Sequence, residues 1–431
     1  MITKLKNMSA EEKIFGLMQI WAEIKFNFIY KDRLSKLHWD KLIQKYIPKT
    51  IRTKNVRDYY YLLQELVARL DDGHTKIRIP KEIESHLITP PVEIQLIENK
   101  FVITNVDKNN EEIHEQKIEI GDEIVSINGI PTHKYFQERV LKYTPLSVKQ
   151  FALPELLRGP ENTSIVLELR KANNKNIKVF LKRGSNLKRS KKFIWKVNRS
   201  YPLLKKDLGN GIFYFEIPTF MTEKSVQYFK KEIKSIKKIK GMIIDVRYNT
   251  GGNSSNAFGI ISCLINKPVK TYKLKTRKHI PFYYARNFFE DKWEWLGPDV
   301  ISPCRGPKYL GPLVVLINSY SASATQSFVS VLYFNKRALL LGEATAKCTG
   351  QPLKVILPGG GVLSLVTSRE YYLNGKEINN VEPHIKCVPK LEDIRNNLDP
   401  VITKAVNIIE NWQRYERKYL ARKDGVKVHQ D

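Results

Sequence analysis

The spacing of apolar positions changes its period along this chain, and each period predicts a different kind of unit. From Ser9 to Phe28 apolar residues recur at helical spacing (Ile14, Leu17, Met18, Trp21, Ile24, Phe28), and Ser9 with Glu12 three residues on has the form of a capping box. An amphipathic helix is predicted over 9–28. A second is predicted over about 57–70, "RDYYYLLQELVARL", ending at "DDGHT", where Gly73 is expected as a left-handed C-cap. Residues 1–88 therefore read as a small helical module that delivers His74 on a loop.

Between about 90 and 185 the period shortens to the alternation of half-buried strands: "VEIQLI", "KFVITNV", "GDEIVSING", "SIVLELR" and "IKVFLK", with one helix near 133–142. This is a compact β-rich domain, taken as 89–190. Its element order, with "IEIGDEIVSINGIP" in the middle, resembles a PDZ domain. Such domains add an extended peptide as a strand to an open sheet edge. No Gly-Leu-Gly-Phe type carboxylate loop occurs near 95–101.

Beyond 200, continuous apolar runs alternate with helical patterns: "GIFYFEI", a helix around 223–237, "MIIDV", a helix near 255–265, "LVVLI", a helix from about 323 to 334, and "ALLLG". Apolar strands separated by helices predict an α/β core with a largely parallel sheet over 191–431. Sites in such sheets form where loops leave the carboxyl ends of strands, as both "DVRYNTGGN" and "SYSASATQ" do. The last stretch, "NWQRYERKYLARKDGVKVHQD", reads as a helix with a frayed, solvated tail.

Composition narrows the class. At 431 residues, 42% hydrophobic and 27% charged, the chain has room for two or three globular domains. No apolar run approaches the roughly 20 residues that span a bilayer. The N-terminus lacks the apolar segment of a secretory signal, which leaves two expectations: a cytoplasmic protein if the sequence is complete, or a cell-envelope or secreted one if a signal was removed. Cys263, Cys304, Cys348 and Cys387 lie far apart without CxxC spacing, so free thiols are expected and no zinc site. The net charge of +29 raises a polyanion partner, but the lysines are spread along the chain among acids; the densest run is "LKRGSNLKRSKK" at 181–192. A solvated basic surface accounts for this, and no specific nucleic-acid partner is expected.

Two turns carry candidate chemistry. At Ser321-Ala322-Ser323-Ala324 the strand ending at Ile317 turns sharply into a helix. Small residues there serve tight packing and a serine can cap the helix; alternatively, free N–H groups at a helix start suit an oxyanion beside a nucleophilic hydroxyl. Gly251-Gly252 is either a plain turn or a place for close approach of backbone to a substrate carbonyl.

In order and approximate spacing, "LDDGHTKI", "GDEIVSINGIP", "GMIIDVRYNTGGN", "LVVLINSYSASATQSF", "LLLGEATA" and "NGKEINNVEPHI" resemble the S41 serine peptidases, from the N-terminal helices to about residue 390. That family includes C-terminal processing proteases, the tricorn core protease and interphotoreceptor retinoid-binding protein. The resemblance implies a ClpP/crotonase-like core with an inserted PDZ-like domain, Ser323 as nucleophile, and an oxyanion hole from the N–H of Ala324 with that of Gly251 or Gly252. Members differ in the base. The processing-type lysine falls at Cys348, with Lys347 beside it, whereas "DGHT" supplies the histidine of the tricorn-like branch and Glu377, seven residues before His384, its carboxylate. Ser323, His74 and Glu377 are the expected set, with Lys347 as alternative base. Gln326 and His384 depart from a Glu and an Asp common in the family, and Gly73 stands where tricorn has Ser.

A serine hydroxyl needs a base within hydrogen-bond reach, and a neutral imidazole supplies one near neutral pH. The expectation is a serine peptidase cleaving unstructured polypeptides through an acyl-enzyme, without metal or cofactor. Its alternatives are a serine–lysine dyad protease and a non-catalytic ligand- or peptide-binding protein on the same scaffold.

Overall fold

The computed structural model describes residues 8–184, 201–236, 238–288 and 292–420. Most of the basic run at 181–192 and the tail from 421 lie outside them.

The first helix is Ala10–Asn27, and its capping box forms: Ser9 Oγ accepts the Glu12 N–H at 3.2 Å and Glu12 Oε2 accepts the Ser9 N–H at 2.9 Å. The second predicted helix is Val56–Ala68, capped by Asn55. A further helix, Trp39–Ile51, has no side-chain cap and carries Pro48 near its end, so it lacks the usual start and stop signals. These helices bury Leu17, Ile20, Tyr59, Tyr60 and Leu63 against Leu363 and Leu365 of a distant hairpin, Pro352–Ile356 with Val362–Val366. The strand Lys76–Arg78 pairs antiparallel with that hairpin. The helical module is thereby stitched to the far end of the chain.

Gly73 does not cap the helix. The left-handed residue is Asp71, at φ 51°, and Gly73 is needed for space: a Cβ there would lie 2.9 Å from Cys348 Cβ, the Lys347 carbonyl and Val148 Cγ1.

The inserted domain is an antiparallel sheet with the strand order Val92–Ile97, Lys100–Val106, Glu123–Ile127, Ser164–Arg170, Asn176–Lys182, and a core including Phe101, Ile103, Ile127, Ile165 and Leu167. The predicted helix at 133–142 is a continuous run of changing pitch: α at Thr132–Tyr135, π at Phe136–Val140 and 3-10 at Leu141–Tyr143. The following segment, Leu146–Glu155, reaches across to the core, where Val148 packs with Ala322, Ala346 and Cys348.

The core sheet orders its strands as Leu204–Asp207, Ile212–Glu216, Gly241–Asp245, Leu313–Ile317, Leu339–Gly342 and Ile385–Lys386; the first pair is antiparallel and the rest are parallel. Every residue of Gly241–Asp245 and Leu313–Ile317 is buried, which is why these strands read as unbroken apolar runs. Helices Lys224–Ser235, Ser254–Ile261 and Ala324–Phe334 cover one face and Pro400–Glu410 the other.

A buried ion cluster ties that last helix to the loop behind the site. Arg247 donates to Asp245 (2.6 Å) and to Asp399 (2.7 Å), and Asp399 also caps Pro400–Glu410. Removing one side of a buried charge pair leaves the rest uncompensated, so Arg247→Met should destabilise the fold by about 3–5 kcal/mol, read as a lower urea midpoint at unchanged m-value.

Candidate active site

Three loops converge at the carboxyl ends of the central strands. In the first, Ser321 Oγ donates to the Val246 carbonyl (2.9 Å) and accepts the Asn318 N–H (3.1 Å), while Asn318 Oδ1 accepts the N–H groups of Tyr248 (3.0 Å) and Tyr320 (3.1 Å). The serine at 321 is structural. Ser323 is held differently, at φ 57° and ψ −127°, a region costly for a residue with a Cβ and common where function requires strain. Its hydroxyl does not cap the helix. Between Ser321 and Ser330 it alone is not buried. The helix-capping role open to Ser323 in the sequence is therefore not the one it takes.

In the second loop Gly251 and Gly252 have φ 100° and 144°. A Cβ on Gly251 would sit 2.7 Å from Ser323 Cβ and 2.9 Å from the Ala324 nitrogen, so the glycine is what lets the two loops touch. Asn249 joins them: its carbonyl accepts the Ala322 N–H (3.2 Å) and its Oδ1 accepts the Gly251 N–H (2.9 Å). The Gly251 donor is thus occupied. Among the described residues the N–H groups of Gly252 and Ala324 have no protein acceptor.

The third loop brings His74. Asp72 Oδ1 accepts the N–H of His74 (3.0 Å) and both the N–H and hydroxyl of Thr75 (2.8 Å each), a tight turn that fixes the backbone. The imidazole is buried, with Nδ1 3.1 Å from the Thr349 carbonyl. Burial lowers the basicity of the ring, against the pull of Asp72, and so favours the neutral imidazole. A proton on Nδ1 has the Thr349 carbonyl as its acceptor. The Cys348 carbonyl accepts the Ser323 N–H (3.0 Å). Serine and histidine are therefore hung on consecutive carbonyls of one segment.

Cys348, the position to which the resemblance assigns the processing-type lysine, is buried, and burial pushes its thiol up to about 12. Its neighbour Lys347 is exposed. This segment lies beyond the strand end at Gly342, so strand alternation does not govern the two side chains. Glu377 is partly exposed; its Oε2 accepts from the Tyr371 hydroxyl (3.4 Å) and pairs with Arg369 (3.6 Å). His384 accepts the Leu340 N–H and Gln326 donates to the Asn379 carbonyl, both structural contacts. Asp72, Asn249 and Thr349 escaped the sequence reading. Only Asp72, next to the histidine, had a local signal, a short acceptor two residues before a loop residue.

Residues 211–387 match the family model of peptidase family S41, and residues 87–201 match a PDZ domain model. The chain carries a peptidase family S41 domain. The chain is 23% identical over 375 residues to a carboxyl-terminal-processing protease of Synechocystis sp., covering 84% of this chain and 77% of that one. It is 26% identical over 272 residues to the carboxy-terminal processing protease CtpA of Bacillus subtilis, covering 61% and 52%. Among solved structures, mature CPAF superposes with a TM-score of 0.75 at 16% identity, covering 97% of this chain and 99% of that one. The chain is a serine-type peptidase with an inserted PDZ domain, acting on polypeptide. Among its described residues no helix is long and apolar enough to cross a membrane, no group of side chains is arranged to hold a metal, and the four cysteines are unpaired.

Proposed function

We propose that this peptidase cleaves peptide bonds in unstructured polypeptides by a serine–histidine mechanism. Ser323 Oγ attacks the scissile carbonyl, His74 Nε2 takes its proton and later returns it to the leaving amine, and the N–H groups of Ala324 and Gly252 hold the oxyanion. Gly251 makes room for that hole and Asn249 holds it in shape. The observation that carries this reading is the anchoring of Ser323 and His74 on the adjacent carbonyls of Cys348 and Thr349.

In this proposal Thr349 O selects the histidine tautomer. Glu377, the carboxylate expected from sequence, enters as an outer charge whose own partners are Arg369 and Tyr371. A serine–lysine dyad is disfavoured because a lysine base must be desolvated, whereas Lys347 is exposed. The PDZ-like domain is proposed to recruit substrate. Its edge strand Val92–Ile97 lines a cavity of about 670 Å³ together with Tyr248 and Tyr320, next to the nucleophile loop. An edge strand accepts an extended chain by pairing with its backbone.

The test is reaction with a serine-directed fluorophosphonate followed by peptide mapping. One adduct, on Ser323, with parallel loss of casein cleavage is expected; an unreactive protein, or an adduct elsewhere, overturns the reading. In the same assay Lys347→Ala should keep casein cleavage within about twofold. Glu377→Gln should lower it by no more than about fivefold, the size of a partly exposed ion pair.

A further inference from the structure

Glu370 is a buried carboxyl group to which nothing above gives a task. It lies on the strand Ser368–Tyr371 and is 4% exposed. Oε1 accepts the Gly350 N–H at 3.2 Å, and Oε2 has no partner among the described residues. The titratable groups that sense it are Tyr272, Tyr372 and Cys348, none of them cationic. Burial accordingly pushes its carboxyl up to about 7. A carboxyl group kept in such surroundings without a cation costs stability, which calls for a role.

Its single hydrogen bond points to that role. Gly350 N–H is the far end of the peptide group whose carbonyl, Thr349 O, faces His74 Nδ1. A peptide unit is conjugated, so an anion at its N–H polarises its C=O and strengthens the bond that the oxygen accepts. The unit is clamped in place. Gly350 is at φ 88° with the Ser368 carbonyl 2.2 Å from where a Cβ would stand; Gln351 N–H donates to Ser368 Oγ (2.9 Å), and Thr349 Oγ1 to the Ile378 carbonyl (3.2 Å). Asp72 and Lys76 are the charged groups on the His74 side, and neither contacts this peptide through a side-chain hydrogen bond.

We infer that Glu370 is a positioning residue for His74, acting through the Thr349–Gly350 peptide group to stabilise the imidazolium that forms when Ser323 gives up its proton. The inference rests on the serine–histidine reading. In the step itself the proton moves from Ser323 Oγ to His74 Nε2, the Nδ1 proton stays on Nδ1, and Glu370 takes up none.

The test is the second-order rate of fluorophosphonate labelling against pH, from 5 to 9, for wild type, Glu370→Gln, Glu370→Asp and His74→Ala, with thermal unfolding of each. Gln keeps an acceptor for Gly350 N–H and loses the charge. Glu370→Gln should match the wild type at acid pH, where Glu370 is protonated, and fall behind it above pH 7 by roughly 10- to 100-fold, the worth of a charge-assisted hydrogen bond. The wild-type profile then shows two inflections and the variant one, with Asp restoring part of the difference. A variant profile parallel to the wild type at every pH, whether equal or uniformly lower with a lower unfolding temperature, overturns the inference. If His74→Ala labels as fast as the wild type, the serine–histidine reading fails first and this one with it.

Discussion

His74→Ala and Ser323→Ala should each lower casein cleavage by about 10³- to 10⁴-fold or more, and the double variant should be hardly worse than either single one. Groups that act as a unit are non-additive: once the base is gone, the hydroxyl is a poor nucleophile at its own pKa, and once the hydroxyl is gone the base has nothing to activate. The pH dependence distinguishes loss of the base from general damage. Burial holds the His74 ring below its ordinary basicity, so the proposed base is the neutral imidazole. Activity is lost as pH falls and this ring takes up a proton. The residual rate of His74→Ala should therefore be flat between pH 5 and 8, while the wild type declines toward acid. A Ser323→Ala protein that still cleaves casein at the wild-type rate would remove the nucleophile from the proposal.

Gly251→Ala should cost about 10²- to 10³-fold in casein cleavage, comparable with removing an oxyanion donor, although neither Ser323 nor His74 is replaced. At φ 100° an alanine is strained, and its Cβ would meet Ser323 Cβ, the Ala322 carbonyl and the Ala324 nitrogen at under 3 Å. The loops must separate, which moves the Ala324 and Gly252 donors apart. Asn249 resists this through its bonds to Gly251 N–H and Ala322 N–H, so strain is expected in both activity and stability. Fluorophosphonate labelling reports the hole; urea unfolding reports the fold. A variant that labels and cleaves like the wild type would show that the close approach of the two loops does not shape catalysis.

How much of this was legible beforehand varied with the range of the interaction. The capping box at Ser9, the helix at Val56–Ala68 and the buried strands Gly241–Asp245 and Leu313–Ile317 follow from local pattern, and the structure has them within a residue or two of expectation. The helix Trp39–Ile51 was missed because Pro48 and an uncapped start hide it. Gly73 was anticipated in its place but for the wrong reason, since what constrains it is Cys348, Lys347 and Val148, residues distant in sequence.

By itself the sequence determined the kinds of element and their order, because helix and strand periods and turn residues are properties of neighbours along the chain, while Ser323 and His74 were singled out by the resemblance to S41 peptidases. Only the tertiary structure decided which groups those residues meet. The contact of His74 with the Thr349 carbonyl spans 275 positions, and the placement of Glu370 behind the same peptide group depends on how the strand Ser368–Tyr371 lies against Gly350. Backbone carbonyls and N–H groups are the same at every position, so no composition or spacing marks the one that orients a histidine; packing alone selects it.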